Sequence, residues 1–427
     1  MDFVLENALV FIGGKLLPKS VLVKQGKIAA IEQTAHAPKM IDCKGKILLP
    51  GLIDAHVHFR VPGAEHKEDW KTGSSAAVAG GVTTVIDMPN NNPSCTTREA
   101  LQQKNNIAKA DSKCNFAFHF GASNDNMEEL QAVQGIASFK VFLGASTGNL
   151  LVTDENILRK IFSIAKQRDI IVTVHAEDEE IIKENTAIAK DRGWNHARYH
   201  SKIRTVEAEA KAIEKALRLQ AEIGNKLHIL HVSSAQGLEL VKEAKESREG
   251  ITCETAPHYL FLTEEATEKL GNFAKMNPSL KGKEDVKALW KGVRQGVIDL
   301  VATDHAPHTK EEKEKHYWDA PSGIPGIETI LPLLLDAVNK EKIELKKVVE
   351  LCCTKPARLY GFESKGEIKA GNDADLALVD LQKKQTIKNG CLFTKCNWSP
   401  FATCRLQGWP VQTIVAGKIA MQNGKVV

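Results

Sequence analysis

Two histidines one residue apart, His56 and His58, close the apolar run Ile47-Leu48-Leu49-Pro50-Gly51-Leu52-Ile53-Asp54-Ala55. Side chains alternate across a strand, so residues i and i+2 share a face. Two imidazoles on one face at the end of a buried strand are placed to bind one metal ion. This pair points to a metal-dependent hydrolase, and the rest of the chain must supply the missing ligands.

Lys140, His175, His231 and Asp304 each fall at or near the end of another apolar run. Taken singly, a histidine near a strand end is more often a hydrogen-bonded structural residue, and an aspartate before a histidine often orients a loop. Gathered with the His-x-His pair at one mouth of a barrel, they read as a ligand set. Lys140 is the most demanding of them, because it lies within Phe139-Lys140-Val141-Phe142-Leu143, a segment that should be buried. An unpaired ammonium there is costly, and burial lowers a lysine pKa from its usual value of about 10.4. A neutral amine can add carbon dioxide to form a carbamate, an anion with two oxygens suited to bridging two cations. A snorkelling lysine or a buried ion pair are the alternatives; the histidines and the aspartate nearby favour the bridge.

The elements that must position these residues alternate short apolar runs with amphipathic segments. Eight strands are expected, over 52–58, 82–88, 115–122, 138–144, 170–177, 227–233, 251–258 and 300–305. Helices are expected over 68–78, stopped by Gly80-Gly81, and over 206–222, stopped by Gly224. Eight strands separated by helices predict an α/β fold, a closed (β/α)8 TIM-type barrel with its active site at the strand C-termini. The two ends of the chain share another grammar, strand, Gly turn, strand, in Val21–Ile31 and again in Thr413–Ala420, with a further turn and strand over 368–379. They predict one small β-sandwich domain built from 1–50 plus 365–427, around a barrel spanning 51–364.

Composition narrows the class. A chain of 427 residues exceeds one small core, and its 43% hydrophobic and 26% charged content is that of a soluble globular protein. The net charge of +4 comes from scattered basic residues and gives no reason to expect nucleic acid or an anionic membrane as partner. No run approaches the roughly 20 apolar residues of a membrane span, and Met1-Asp2-Phe3-Val4-Leu5-Glu6 lacks the basic start of a signal peptide. Nine cysteines without a Cys-x-x-Cys pair fit reduced thiols in a cytoplasmic protein. Cys391, Cys396 and Cys404 match no standard zinc spacing and read as ordinary thiols. His196, His200 and His316 lie in polar segments and are expected to face solvent, as is the charge-rich stretch 310–315, read as a loop. The glycines of Ser322-Gly323-Ile324-Pro325-Gly326 read as turn formers.

Five motifs then carry a resemblance: Gly51-Leu52-Ile53-Asp54-Ala55-His56-Val57-His58-Phe59-Arg60, Asp87-Met88-Pro89-Asn90-Asn91-Asn92-Pro93, His231-Val232-Ser233-Ser234, Met276-Asn277-Pro278-Ser279-Leu280 and Thr303-Asp304-His305-Ala306-Pro307-His308. Over nearly its whole length the chain resembles the cyclic amidohydrolases, and among them the dihydroorotases. The resemblance implies two zinc ions, one held by His56, His58 and Asp304, the other by His175 and His231, bridged by carbamylated Lys140 and a hydroxide. It implies that Asp304 shuttles the proton in opening the cyclic amide of dihydroorotate to N-carbamoyl-L-aspartate, and in the reverse closure. Arg60 and Asn90 would bind the substrate carboxylate, Asn277 the ring, and His308 would join them. A guanidinium fork suits a carboxylate physically. The expected assembly is a homo-oligomer, a dimer first. The nearest rival is a hydantoinase, dihydropyrimidinase or allantoinase, whose substrates generally lack the ring carboxylate; a metal-free scaffold relative is the rival from another class.

Overall fold

In the computed structural model, which describes residues 2–145 and 150–427, the N-terminal end forms β1 (Phe3–Ile12), β2 (Lys15–Lys24), β3 (Lys27–Glu32), β4 (Met40–Asp42) and β5 (Ile47–Pro50). The middle supplies β6 (Leu52–Val57), β7 (Val82–Asp87), β8 (Asn115–Gly121), β9 (Ser138–Phe142), β10 (Ile171–His175), β11 (Leu227–Ile229), β12 (Ile251–Thr255) and β13 (Leu300–Val301). The C-terminal end adds β14 (Leu376–Thr386), β15 (Arg405–Val415), β16 (Lys418–Gln422) and β17 (Lys425–Val426).

Strands β6 to β13 pair in sequence order, in parallel, as one eight-stranded sheet. Its first and last strands meet beyond the end of β13: Val57 bridges His305, and the His58 N–H donates to the His305 carbonyl at 2.8 Å. That contact closes the barrel at the mouth where the candidate ligands sit. Central strands such as β7 and β10 are buried along their whole length, as parallel strands covered by helices must be. The expected strands are all present but end early. β11 stops at Ile229 and β13 at Val301, because the chain turns out of the sheet before His231 (φ 38°) and Asp304 (φ 46°). The helices start and stop as their caps dictate. Asp69 accepts from the Thr72 N–H at 2.7 Å at the head of the Trp70–Ala79 helix, and Gly224 (φ 78°) ends the Val206–Ile223 helix in the left-handed conformation.

The chain termini share one nine-stranded sheet, ordered β17-β16-β15-β14-β5-β1-β2-β3, with β4 beside β1. The join is β5 against β14, antiparallel, with Leu48 opposite Leu378. Side chains from both halves, among them Leu5, Val21, Leu48, Leu376 and Ile414, meet in one apolar core. The two similar hairpins turn through Gln25-Gly26 (φ 49° and 79°) and Ala416-Gly417 (φ 45° and 73°), the positive-φ pair of a tight β-hairpin. The two turns also touch: a Cβ on Gly417 would lie 2.7 Å from the Gly26 Cα.

Two surface expectations are corrected. The stretch 310–315 contains a short helix, Lys310–Lys313, and Lys313 is buried, its ammonium donating to the carbonyls of Lys275, Pro321 and Gly323 at 3.0, 2.8 and 2.9 Å. His200 is also buried, with one ring nitrogen 2.8 Å from the Tyr317 hydroxyl and the other 3.0 Å from the Met276 carbonyl. In both cases the backbone carbonyls of converging loops satisfy a polar group that the local sequence marks as solvated. All nine cysteines are free thiols, and Cys391, Cys396 and Cys404 do not gather into a metal-binding group among the described residues. Among those residues, no helix is long and apolar enough to cross a membrane.

Candidate metal and active site

At the closed mouth, Asp304 Oδ1 lies 3.1 Å from His56 Nε2 and 3.0 Å from His58 Nε2. The far nitrogens of both rings are engaged: His56 Nδ1 faces Glu254 Oε1 at 2.6 Å, and His58 Nδ1 faces Asn90 Oδ1 at 2.7 Å. Both partners are acceptors, so each ring turns an Nδ1–H toward its partner, and both Nε2 atoms face the same Asp304 oxygen. A second pair forms beside it, with His175 Nδ1 2.9 Å from His231 Nε2. The pairs adjoin: the His56 and His231 ring centroids are 5.4 Å apart, and ligand atoms of His56, His231 and Asp304 all lie within 4.8 Å of one another.

Lys140 stands fully buried in β9, opposite Thr173 of β10. Among the described residues its ammonium has no hydrogen-bond partner, and it lies 4.3 Å from the Phe142 ring centroid. Burial pushes its pKa down to about 7, against the pull of Asp304 and Glu254. A large neutral fraction at physiological pH is what carbamate formation requires.

The charges around the pair fit cations. Burial lowers the His56 pKa, but the Asp304 and Glu254 carboxylates outweigh it and lift it to about 9. Burial takes His58 down to about 4. Burial raises the Asp304 pKa, but the His56 charge and the bonds to both histidines hold it well below the usual carboxylate range. Two buried carboxylates that would hold a proton on an imidazole attract a metal ion in the same way, and the unpartnered Lys140 amine and His231 Nδ1 add to the donors at hand. The residues present therefore fit a metal centre of nitrogen and oxygen ligands.

Beside it lies a buried cationic side chain. Arg60 is buried at φ 67°, its Nε donating to the Pro307 carbonyl at 3.1 Å and its outer nitrogen lying 3.1 Å from His308 Nε2. Lys67 donates to His308 Nδ1 at 3.1 Å, so the imidazole proton sits on Nε2, 3.0 Å from the Ser322 carbonyl. Asn277 is held from another direction, its Oδ1 3.0 Å from His200 Nε2. Arg60, His231 and Asp304 all take left-handed backbone conformations, each at a cost of about 1–3 kcal/mol. Strain gathered at one mouth is the mark of a site whose geometry is over-determined by its surroundings.

Residues 47–420 match the model of the Amidohydrolase family. The chain belongs to the amidohydrolase family. Among curated relatives, this amidohydrolase is 38% identical over 414 residues to the dihydroorotase of Methanosarcina mazei, covering 94% of this chain and 90% of the relative. It is 42% identical over 371 residues to the dihydroorotase of Halobacterium salinarum, covering 87% and 85%. Among solved structures it resembles the L-hydantoinase (dihydropyrimidinase) of Arthrobacter aurescens, with a TM-score of 0.95 and 32% identity over 100% of this chain and 97% of the other. The dihydropyrimidinase of Brevibacillus agri gives a TM-score of 0.94 at 30% identity over 100% and 96%. This amidohydrolase is a cyclic amide hydrolase, and membership of the family implies a metal cofactor.

Several residues of the amidohydrolase site have no role assigned from the sequence. Glu254, at the end of β12, anchors His56. Asp54 accepts from the Thr303 N–H at 3.0 Å and its hydroxyl at 2.5 Å, fixing the turn into Asp304. Asp87 accepts from the Phe59 N–H at 2.7 Å and pairs with buried Lys104 at 2.6 Å, while Lys104 also donates to the Met88 carbonyl, pinning the loop that carries Asn90. For Asp54 and Asp87 the sequence signal was a carboxylate at the end of an apolar run; Lys104, in the polar stretch Gln102-Gln103-Lys104-Asn105-Asn106, gave none. Gly323 (φ 137°) works as a turn former with a tight fit, since a Cβ there would lie 2.5 Å from the Ala306 carbonyl and 3.0 Å from His308 Nε2.

Proposed function

We propose that this amidohydrolase is a dihydroorotase, interconverting (S)-dihydroorotate and N-carbamoyl-L-aspartate in de novo pyrimidine biosynthesis in the cytoplasm. The observation that carries the reading is Arg60, buried beside His308 and two positions beyond the His56–His58 pair. The guanidinium, fixed between the Pro307 carbonyl and His308, offers its outer N–H groups as a cationic seat for a carboxylate. Dihydroorotate has that carboxylate; hydantoin and dihydrouracil do not. The barrel is shared with hydantoinases, so the fold alone does not choose between them.

His56, His58 and Asp304 would hold one zinc ion, His175 and His231 the other, with Lys140 as a carbamate between them. Bound there, zinc supplies a water whose pKa falls toward ~7 and a Lewis acid for the amide carbonyl. Asp304, a carboxylate held ionised by its histidines, accepts the proton of the attacking water and delivers it to the departing ring nitrogen as the C–N bond breaks. Arg60, Asn90 and His308 seat the carboxylate, and Asn277 contacts the ring. Residues 1–50 with 365–427 form the accessory module and 51–364 the catalytic one. The working form would be a homo-oligomer, a dimer first, and its mass in solution would test this.

The test is hydrolysis of dihydroorotate, dihydrouracil and hydantoin on one preparation whose metal content is measured alongside. Preference for dihydroorotate supports the reading. Preference for either carboxylate-free ring favours the hydantoinase class, and absence of both metal and turnover favours a scaffold.

A further inference from the structure

The interior of an eight-stranded barrel is usually packed with branched apolar side chains. Beneath these candidate ligands it is polar instead. Thr173 of β10, His228 of β11 and Thr252 of β12 stand opposite one another in register, and His119 of β8 stands opposite Ser138 of β9. His119, Ser138, Thr173, His228 and Glu254 are all buried. One continuous line of hydrogen bonds runs through this layer. His56 Nδ1 meets Glu254 Oε1 at 2.6 Å, Glu254 Oε2 meets His228 Nε2 at 3.2 Å, and His228 Nδ1 meets Thr252 Oγ1 at 2.8 Å. Thr252 lines a cavity of about 410 Å³ on the barrel's other face, with Lys226, Asp299, Lys355 and Arg358.

The chemistry of the line fixes its polarity. The Glu254 carboxylate can only accept, so both imidazoles turn an N–H toward it. His228 carries its proton on Nε2, and its Nδ1 lone pair accepts the Thr252 hydroxyl. Each ring then has one tautomer and one orientation. His56, its Nδ1–H held by Glu254, presents Nε2 toward Asp304. A buried carboxylate left with one donor would be poorly satisfied and free to turn, and His56 would turn with it.

We propose that Glu254, His228 and Thr252 are positioning residues for the metal centre, a hydrogen-bonded stem that sets the tautomer and aim of His56 from the opposite end of the barrel. The inference rests on the metal-site reading above and goes beyond it, because neither His228 nor Thr252 is placed among the ligands or the substrate contacts.

The test compares zinc affinity, by competition with a chromogenic chelator, and the visible spectrum of the cobalt-substituted protein for wild type, E254Q, H228L, H228Q and T252V. The melting temperature of each metal-free protein reports folding separately. E254Q and H228L are expected to bind zinc roughly 10–100-fold more weakly, the usual loss when an outer partner of a metal-binding histidine is removed. H228Q, whose amide N–H still donates to Glu254, is expected to recover most of that loss. T252V, isosteric and remote from the ions, is expected to weaken binding in the same direction and shift the cobalt bands without lowering the metal-free melting temperature. Wild-type affinity and spectrum in E254Q and H228L would overturn the proposal. So would H228Q behaving as badly as H228L, which would make the role one of packing, or a silent T252V, which would end the stem at His228. A wild-type protein that takes up no zinc would instead overturn the metal site itself.

Discussion

His58 and Asp304, separated by 246 positions, meet with Nε2 3.0 Å from Oδ1. Barrel closure makes this pair. His58 follows the first barrel strand and Asp304 the last, and the bond from the His58 N–H to the His305 carbonyl clamps the two ends together. The same closure that completes the sheet therefore assembles the carboxylate with both members of the His-x-His pair.

In the proposed mechanism Asp304 is a ligand and the proton carrier in one group. Asp304→Asn keeps the shape and removes the base, so kcat for dihydroorotate is expected to fall by roughly 10²–10⁴-fold, the usual contribution of a placed general base. Circular dichroism should be unchanged. Near-normal turnover in this variant would remove the proton shuttle from the mechanism.

In the proposed site Lys140 acts as a carbamate, and its buried ammonium has no hydrogen-bond partner among the described residues. Lys140→Ala is expected to lose metal along with activity. Short carboxylic acids, entering the space the side chain leaves, should restore part of both. Full zinc occupancy in the variant without added acid would rule out the bridge.

The fold was legible because its signals are local. Eight apolar runs and their glycine stops need only neighbours in sequence, and so does the hairpin grammar at the two ends. The ligand candidates were legible for a related reason: strand ends converge in a barrel, so residues at those positions meet whatever their separation. What stayed hidden depends on contacts between distant loops. Lys313 sits in a run of charges, and only the carbonyls of Lys275, Pro321 and Gly323 make its burial tolerable. His200 is the same case, satisfied by Tyr317 and Met276. Glu254 was visible as a charge in an apolar strand, but its partner lies 198 positions away. The left-handed turns at His231 and Asp304 shortened two strands, because loop closure over the site overrode strand propensity there.

In the proposed function Arg60 selects the substrate. Its pKa is brought down by burial only to about 10, so it stays charged at neutral pH. Arg60→Met is expected to reduce kcat/KM for dihydroorotate by roughly 10–100-fold, the loss of a charge-assisted pair worth about 1.5–3 kcal/mol. Dihydrouracil, which has no carboxylate to lose, should change far less. An equal loss for both rings would mean that Arg60 supports the loop rather than reading the substrate.

Asp373 ties the two chain ends together, and its titration gives the fold a pH signature. It accepts from Lys27 of β3 at 2.5 Å, from Lys365 at 2.9 Å and from the Ser364 hydroxyl at 2.8 Å. Burial raises its pKa, but these bonds outweigh burial and hold it at about 2. The unfolded carboxyl titrates near 3.9. Between those values the unfolded chain binds more protons than the folded one, so the contribution is complete above about pH 4 and is lost as pH falls toward 2. Much of the group meets solvent, and screening cuts the effect to about 1 kcal/mol. Asp373→Asn should therefore be less stable than wild type by about that amount at pH 7, with the gap closing near pH 2. Urea unfolding at both pH values reads it, and a gap of the same size at each would show that the Asp373 charge does not hold the termini together.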